Sequence, residues 1–248
     1  MAKKKTNPVE ETTDVVETNE TPQEITPCEC EPLIATSSNF TYGFEESLIM
    51  DDVSERNLYI NGEITADVFR HIYYFITKFN AEDIGVEIDK RLPIKLHIST
   101  QGGNVWDGLG ICEIISNSTT PVIGICTSYA LSMGFYIFIS CDVRYATENT
   151  FLLNHEGFDG DYGHPSKIKD YINFSDRLNE RLNKIIIHNS NLTARDLKDT
   201  ERIENYMFAD EAKDMGIVDF IIGRDCTLDE ILWGIIIWQN DFSIPTLS

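Results

Sequence analysis

The sequence has no long hydrophobic run. Its densest apolar stretch, Ile231–Trp238, falls far short of the roughly 20 residues that a membrane-spanning helix needs. Basic side chains are scarce: 20 Lys and Arg stand against 41 Asp and Glu in 248 residues, a formal net charge of -21. That balance excludes a general nucleic-acid binder, whose phosphate contacts need clustered cations, and docking on anionic membranes. The basic start MAKKK has no apolar stretch behind it, so a signal peptide is not expected. No G-x-x-x-x-G-K-(S/T) loop occurs, so the chain itself carries no such nucleotide-phosphate cradle. Cysteines are few and mostly single. Cys112, Cys126 and Cys141 sit in apolar periodic segments, where the thiol packs as a small hydrophobe, and the lone pair Cys28 and Cys30 lacks a second pair for zinc. No His, Cys or Asp cluster has metal-ligand spacing, so neither metal nor cofactor is expected. Taken together, these features predict a reduced, cytoplasmic protein.

What is present divides the chain into three parts. Residues 1–45 are rich in Thr, Glu, Asn and Pro without hydrophobic periodicity, and read as a disordered acidic tail. Residues 46–224 alternate strand and helix patterns, an α/β fold of repeated β-α-β units. Residues 225–248 form an apolar C-terminal extension, expected to cover a surface groove or to bind a partner. Within the central part the patterns predict a strand at Asn57–Ile60 with a turn at Asn61-Gly62, and a helix over Ala66–Phe79. A strand at Ile94–Ser99 is followed by a turn at Thr100–Gly103 and a helix at Val105–Ser116. The two glycines of that helix, Gly108 and Gly110, imply close packing on another element. A strand at Val122–Cys126 runs through a short loop into a helix from Ser132 to Ile139. Further strands fall at Val143–Ala146, Phe151–Asn154 and Val218–Ile222, and a helix at Ala209–Met215. Ser166–Ser190 is one long amphipathic helix, about 37 Å at 1.5 Å per residue. Thr193 caps a helical turn after it.

Three sites carry candidate chemistry. Ser132 opens a helix directly after a strand, where unpaired backbone N–H groups and the helix dipole favour an oxyanion. It reads equally as a plain N-cap or as a nucleophile on a strand–Ser–helix turn. The paired glycines of Thr100-Gln101-Gly102-Gly103-Asn104 can present N–H groups to a negative oxygen, or form an ordinary turn. His155 ends a buried strand, as a satisfied structural histidine or as a general base within reach of a serine. The other histidines lie within helices (His71, His188), in a strand (His97) or beside a proline (His164).

In order along the chain these pieces resemble the ClpP family, the proteolytic subunits of Clp proteases, across about 57–222. The segments that carry the resemblance are HISTQGGNVWDGLGI, LSMG, RYATENTFLLNH and EAKDMGIVD, the last at 211–219. The resemblance implies a ClpP/crotonase-like spiral with a long protruding helix, and a serine endopeptidase acting on unfolded polypeptides. Ser132 is then the nucleophile, His155 the general base, and the N–H groups of Gly103 and Met133 the oxyanion hole. The triad acid is where the sequence departs from the family. In DTERIENYMF, 199–208, counting forward lands on Ile203 and counting back from YMFADEA lands on Glu204. Glu204 is the expected acid, with Asp199 in reserve. Glu156-Gly157 replaces a Gln-Pro after the histidine and implies a changed pH optimum. The family also implies a homo-oligomeric ring, a heptamer or stacked rings, fed by an AAA+ unfoldase. Alternatives are a non-catalytic ring subunit or scaffold and a viral-type capsid maturation protease. The order of Ser132 and His155 argues against a crotonase-type acyl-CoA enzyme.

Overall fold

The computed structural model describes residues 52–155, 164–200 and 204–232, with the side chains of 198–200 excepted. The acidic tail, Cys28, Cys30, Glu156-Gly157, Ile203 and residues 233–248 lie outside the described residues.

Among the described residues, seven strands form one mixed sheet: β1 (Asn57–Ile64), β2 (Ile94–Gly103), β3 (Val122–Leu131), β4 (Val143–Thr147), β5 (Phe151–Asn154), β6 (Asn205–Phe208) and β7 (Phe220–Ile222). The order is β1-β2-β3-β4-β7, all parallel, with β5 also parallel to β3 and β6 antiparallel to β5. Helices α1 (Ala66–Glu82), α2 (Val105–Ser116) and α3 (Met133–Ile139) connect the first strands. They are followed by α4 (Pro165–Asn189), α5 (Ala194–Thr200), α6 (Ala209–Asp214) and α7 (Leu228–Leu232). The expected α/β fold is present.

Strand β3 organises the sheet. Its first half, Ile123–Cys126, pairs with β4, and its second half, Tyr129–Leu131, pairs with β5. At the fork, where the pairing passes from β4 to β5, threonine hydroxyls add bonds to β3: Thr150 donates to the Cys126 carbonyl at 2.8 Å and Thr147 to the Thr127 carbonyl at 3.2 Å. This is why β3 runs to Leu131 where a loop is expected after Cys126. Likewise β2 continues through Thr100–Gly103 where a turn is expected, and β1 through Asn61-Gly62. A register shift after Asn61 still leaves Glu63 and Ile64 paired with Gly102 and Gly103. The glycines thus serve irregular strand, which hydropathy patterns do not separate from a turn.

Alternate residues of β3 feed two cores. Val122 and Cys126 join the large core beneath α1, α2 and α3, whereas Ile123 and Ile125 face a smaller one with Tyr145, Cys226 and Ile231. Ile231 belongs to α7, so the start of the C-terminal extension covers the second sheet face. The Lys95 ammonium donates to the Leu232 carbonyl at the end of that helix, 3.1 Å away. The helix glycines are explained by contact: a Cβ on Gly108 falls 2.1 Å from Met133 Cγ, and one on Gly110 2.7 Å from the Phe69 ring. Thr193 caps α5 as expected: its hydroxyl oxygen accepts the Asp196 N–H at 3.4 Å, and its own backbone N–H donates to the Asp196 carboxylate at 2.8 Å.

A buried ion pair locks the end of the sheet opposite the candidate site. Arg56, just ahead of β1, donates to both oxygens of Asp83 at 2.7 and 2.8 Å, and Thr120 adds a bond at 2.6 Å. The Arg56 hydrogen bonds hold the Asp83 carboxyl below the usual carboxylate range. A depressed folded pKa adds stability above the unfolded value, about 3.9, and that stability is lost as pH falls through the folded one. Asp83→Asn is expected to cost about 3 kcal/mol at neutral pH, because it leaves the Arg56 guanidinium buried without its counter-charge. Urea melts at pH 7 and pH 3 check this: the gap between variant and wild type narrows at the lower pH.

Candidate active site

The candidate groups gather at one end of the sheet, where β2, β3 and β5 finish and β6 begins. In parallel α/β sheets the carboxyl ends of the strands are where ligands bind.

Ser132 links β3 to α3 with φ 52° and ψ -122°, a left-handed backbone that a residue bearing a Cβ rarely adopts. Both sides of the turn are pinned. The Ser132 N–H donates to the Leu153 carbonyl of β5 at 2.9 Å, and the Phe135 N–H donates to the Ser132 carbonyl at 3.0 Å. The side chain of Ser132 makes no capping hydrogen bond to α3. Of the two readings of this residue, a plain N-cap therefore lacks the bond that defines it.

The glycine segment of β2 lies directly against this turn. Gly102 has φ 99°, and a Cβ there falls 2.8 Å from both the Leu131 carbonyl oxygen and Ser132 Cβ, and 3.0 Å from the Met133 nitrogen. Thr100, fully buried, organises the segment. Its hydroxyl donates to the Gly62 carbonyl and accepts the Gly102 N–H at 3.0 Å. Gly134 has no room for a side chain, because a Cβ falls 2.3 Å from Thr100 Cγ2. Gly103 (φ 151°) is exposed, and Asn104 after it caps α2 by accepting from Trp106 and Asp107 N–H at 2.9 and 3.1 Å. Met133, the first residue of α3, is buried. Sequence reading did not single out Thr100; a threonine two residues before a glycine is too common to signal a hydrogen bond.

His155 is half-buried and directly follows β5. The residue before it is fixed: Tyr136 of α3 donates to the Asn154 side-chain carbonyl at 2.9 Å, and burial raises the Tyr136 phenol far above its ordinary range. Sequence patterns had marked neither Tyr136 nor Asn154, since α3 reads as uniformly apolar.

The two acid candidates fall in different settings. Asp199 lies within α5. Glu204 immediately precedes β6, is exposed, and accepts a hydrogen bond from the Tyr206 hydroxyl. Strands β5 and β6 pair antiparallel, with Leu153 opposite Tyr206 and Asn154 opposite Asn205. The next residue on each strand is His155 and Glu204. Ser132, His155 and Glu204 thus terminate three successive neighbouring strands on one edge. Among the described residues, no three His, Cys, Asp or Glu side chains are grouped to hold a metal ion, and no helix is long and apolar enough to cross a membrane.

A parallel-dominated α/β sheet with a serine on a strained strand-to-helix turn beside a diglycine segment is an architecture suited to acyl transfer. Residues 45–225 match the Clp protease family model, and the chain belongs to that family.

Proposed function

We propose that the protein is a ClpP-type serine endopeptidase that cleaves unfolded polypeptides inside an oligomeric chamber. The observation that carries this reading is Ser132. Its backbone is held in a costly conformation, and its hydroxyl does not serve the helix it precedes. In the proposed mechanism Ser132 Oγ attacks the peptide carbonyl while His155 takes its proton and returns it to the leaving amine. Water then hydrolyses the acyl-enzyme with His155 as base again. Glu204 orients His155 and stabilises its positive charge. The N–H groups of Gly103 and Met133 receive the oxyanion; the Gly102 N–H is already engaged by Thr100. Each such donor contributes about 3 kcal/mol to transition-state binding.

The chamber rests on α4. Of its 25 residues only Leu182 and Ile186 are buried, while Ile168 and Ile172, on the same helical face in its first half, are 37% and 53% exposed. An apolar stripe of this kind on a projecting helix favours burial against further copies of the chain in stacked rings. An AAA+ unfoldase is the proposed source of unfolded chains, since this sequence carries no nucleotide loop of its own, and the cytoplasm is the proposed location. The rival, a non-catalytic ring subunit, draws on the exposure of Glu204, because triad acids are usually enclosed.

Treatment with a fluorophosphonate followed by intact-mass analysis separates the two readings, on protein whose assembled mass has been measured. One adduct on wild type and none on Ser132→Ala is the expected result. Assembled wild type without an adduct would sink the catalytic reading in favour of the scaffold.

A further inference from the structure

We propose that Tyr206 is the positioning residue for the triad acid, its hydroxyl clamping one oxygen of Glu204 so that the other is presented to His155. The inference rests on the reading of Glu204 as that acid. It arises from strand geometry. Glu204 and Tyr206 are two residues apart at the start of β6, so their side chains share a face. On that face Tyr206 lies opposite Leu153, two residues before His155 on β5. The ring itself is held flat on Phe151 of β5, with centroids 5.6 Å apart and planes inclined by 9°. From this seat the hydroxyl donates to Glu204 Oε2. The same bond raises the phenol pKa, as expected of a proton shared with a carboxylate.

A clamp answers a specific weakness of this site. Glutamate has one more rotatable bond than aspartate, and an exposed carboxylate on a longer stem loses more conformational freedom when it is held in one orientation. Burial does not restrict Glu204, which is exposed. A phenol anchored by stacking on the strand that carries the histidine supplies the restriction from the side. It donates a single hydrogen bond and leaves the second carboxylate oxygen for the imidazole N–H.

The test compares full-length wild type with Tyr206→Phe, Glu204→Ala and the double variant, reading kcat and KM on an unfolded polypeptide substrate and the melting temperature. Tyr206→Phe keeps the ring on Phe151 and removes only the hydroxyl. Its kcat is expected to fall about threefold to tenfold, with KM and melting temperature unchanged, the scale of one exposed hydrogen bond. The double variant is expected to match Glu204→Ala, because the hydroxyl then has nothing to hold. Two results would overturn the clamp alone: Tyr206→Phe turning over at the wild-type rate while Glu204→Ala is impaired, or Tyr206→Phe causing the same fold-loss with and without Glu204. Wild-type activity in Glu204→Ala would overturn the assignment of Glu204 itself, and the clamp with it.

Discussion

Ser132→Gly is expected to abolish hydrolysis while making the fold more stable. Two properties of one residue pull in opposite directions here. The backbone at φ 52° and ψ -122° is strained for any side chain with a Cβ, at about 1–3 kcal/mol. Glycine relieves that strain and gives back less than about 1 kcal/mol through the greater freedom of the unfolded chain. A net gain near 1 kcal/mol raises the melting temperature by about 2–4 °C for a domain of this size. Ser132→Ala is the control, since alanine keeps the Cβ and the strain, and its melting temperature is expected to stay close to that of wild type. Both variants lose the proposed nucleophile, for which a fall in kcat on the order of 10^6 is the expected scale. Thermal melts and peptide hydrolysis on the three proteins check both halves. A glycine variant that melts below the alanine variant would remove strain as the reason for this backbone.

The second large effect is expected at Gly102, where a single methyl group disturbs Ser132 and its surroundings together. In Gly102→Ala the new Cβ sits 2.8 Å from the Leu131 carbonyl oxygen, 2.8 Å from Ser132 Cβ and 3.0 Å from the Met133 nitrogen. None of these is the yielding end of a long side chain, so the strands must separate. Overpacking and the left-handed φ of 99° together cost about 2–4 kcal/mol. Activity is expected to fall at least about 100-fold, because a displacement of about 1 Å between reacting groups has that consequence. Gly62→Ala distinguishes crowding from backbone strain. Gly62 has φ 86° with nothing within 4 Å of an added Cβ, so it carries the strain without the clash. That variant is expected to lose about 1 kcal/mol and keep its turnover. Urea unfolding and kcat for both variants make the comparison, and equal losses of turnover would show that the position of Gly102 beside Ser132 is of no consequence.

Much of the architecture was legible because periodicity is local. The 3.6-residue pattern of Val68, Ile72, Ile76 and Phe79 marks α1, and the pattern of Leu178, Leu182, Ile185 and Ile186 marks the buried half of α4, since each apolar position reports the same nearby core. The glycines at Gly108 and Gly110 signalled close packing correctly, though not that Met133 and Phe69 are the groups that press on them. Where pattern reading fell short, the cause was polarity at the site. Thr100–Gly103 and Thr127–Leu131 read as turn and loop, yet both continue strands β2 and β3. Glycine and hydroxyl residues are chosen there by close backbone approach and by hydroxyl bonds to carbonyls at the fork, neither of which has a period.

The sequence by itself determined the alternation of strand and helix, the apolar faces, the length of α4 and the ordered motifs that mark a Clp protease family member. These follow from residue spacing alone. Only the tertiary structure decided that Ser132 makes no cap for α3, because its φ depends on a hydrogen bond to Leu153, which lies 21 positions further along the chain. It also set Glu204 beside His155. Counting along the chain gives Ile203 or Glu204 according to where the count begins, whereas pairing between β5 and β6 sets Asn205 opposite Asn154 and leaves Glu204 next to it. Register is a relation between two strands, and a single stretch of sequence contains only one of them.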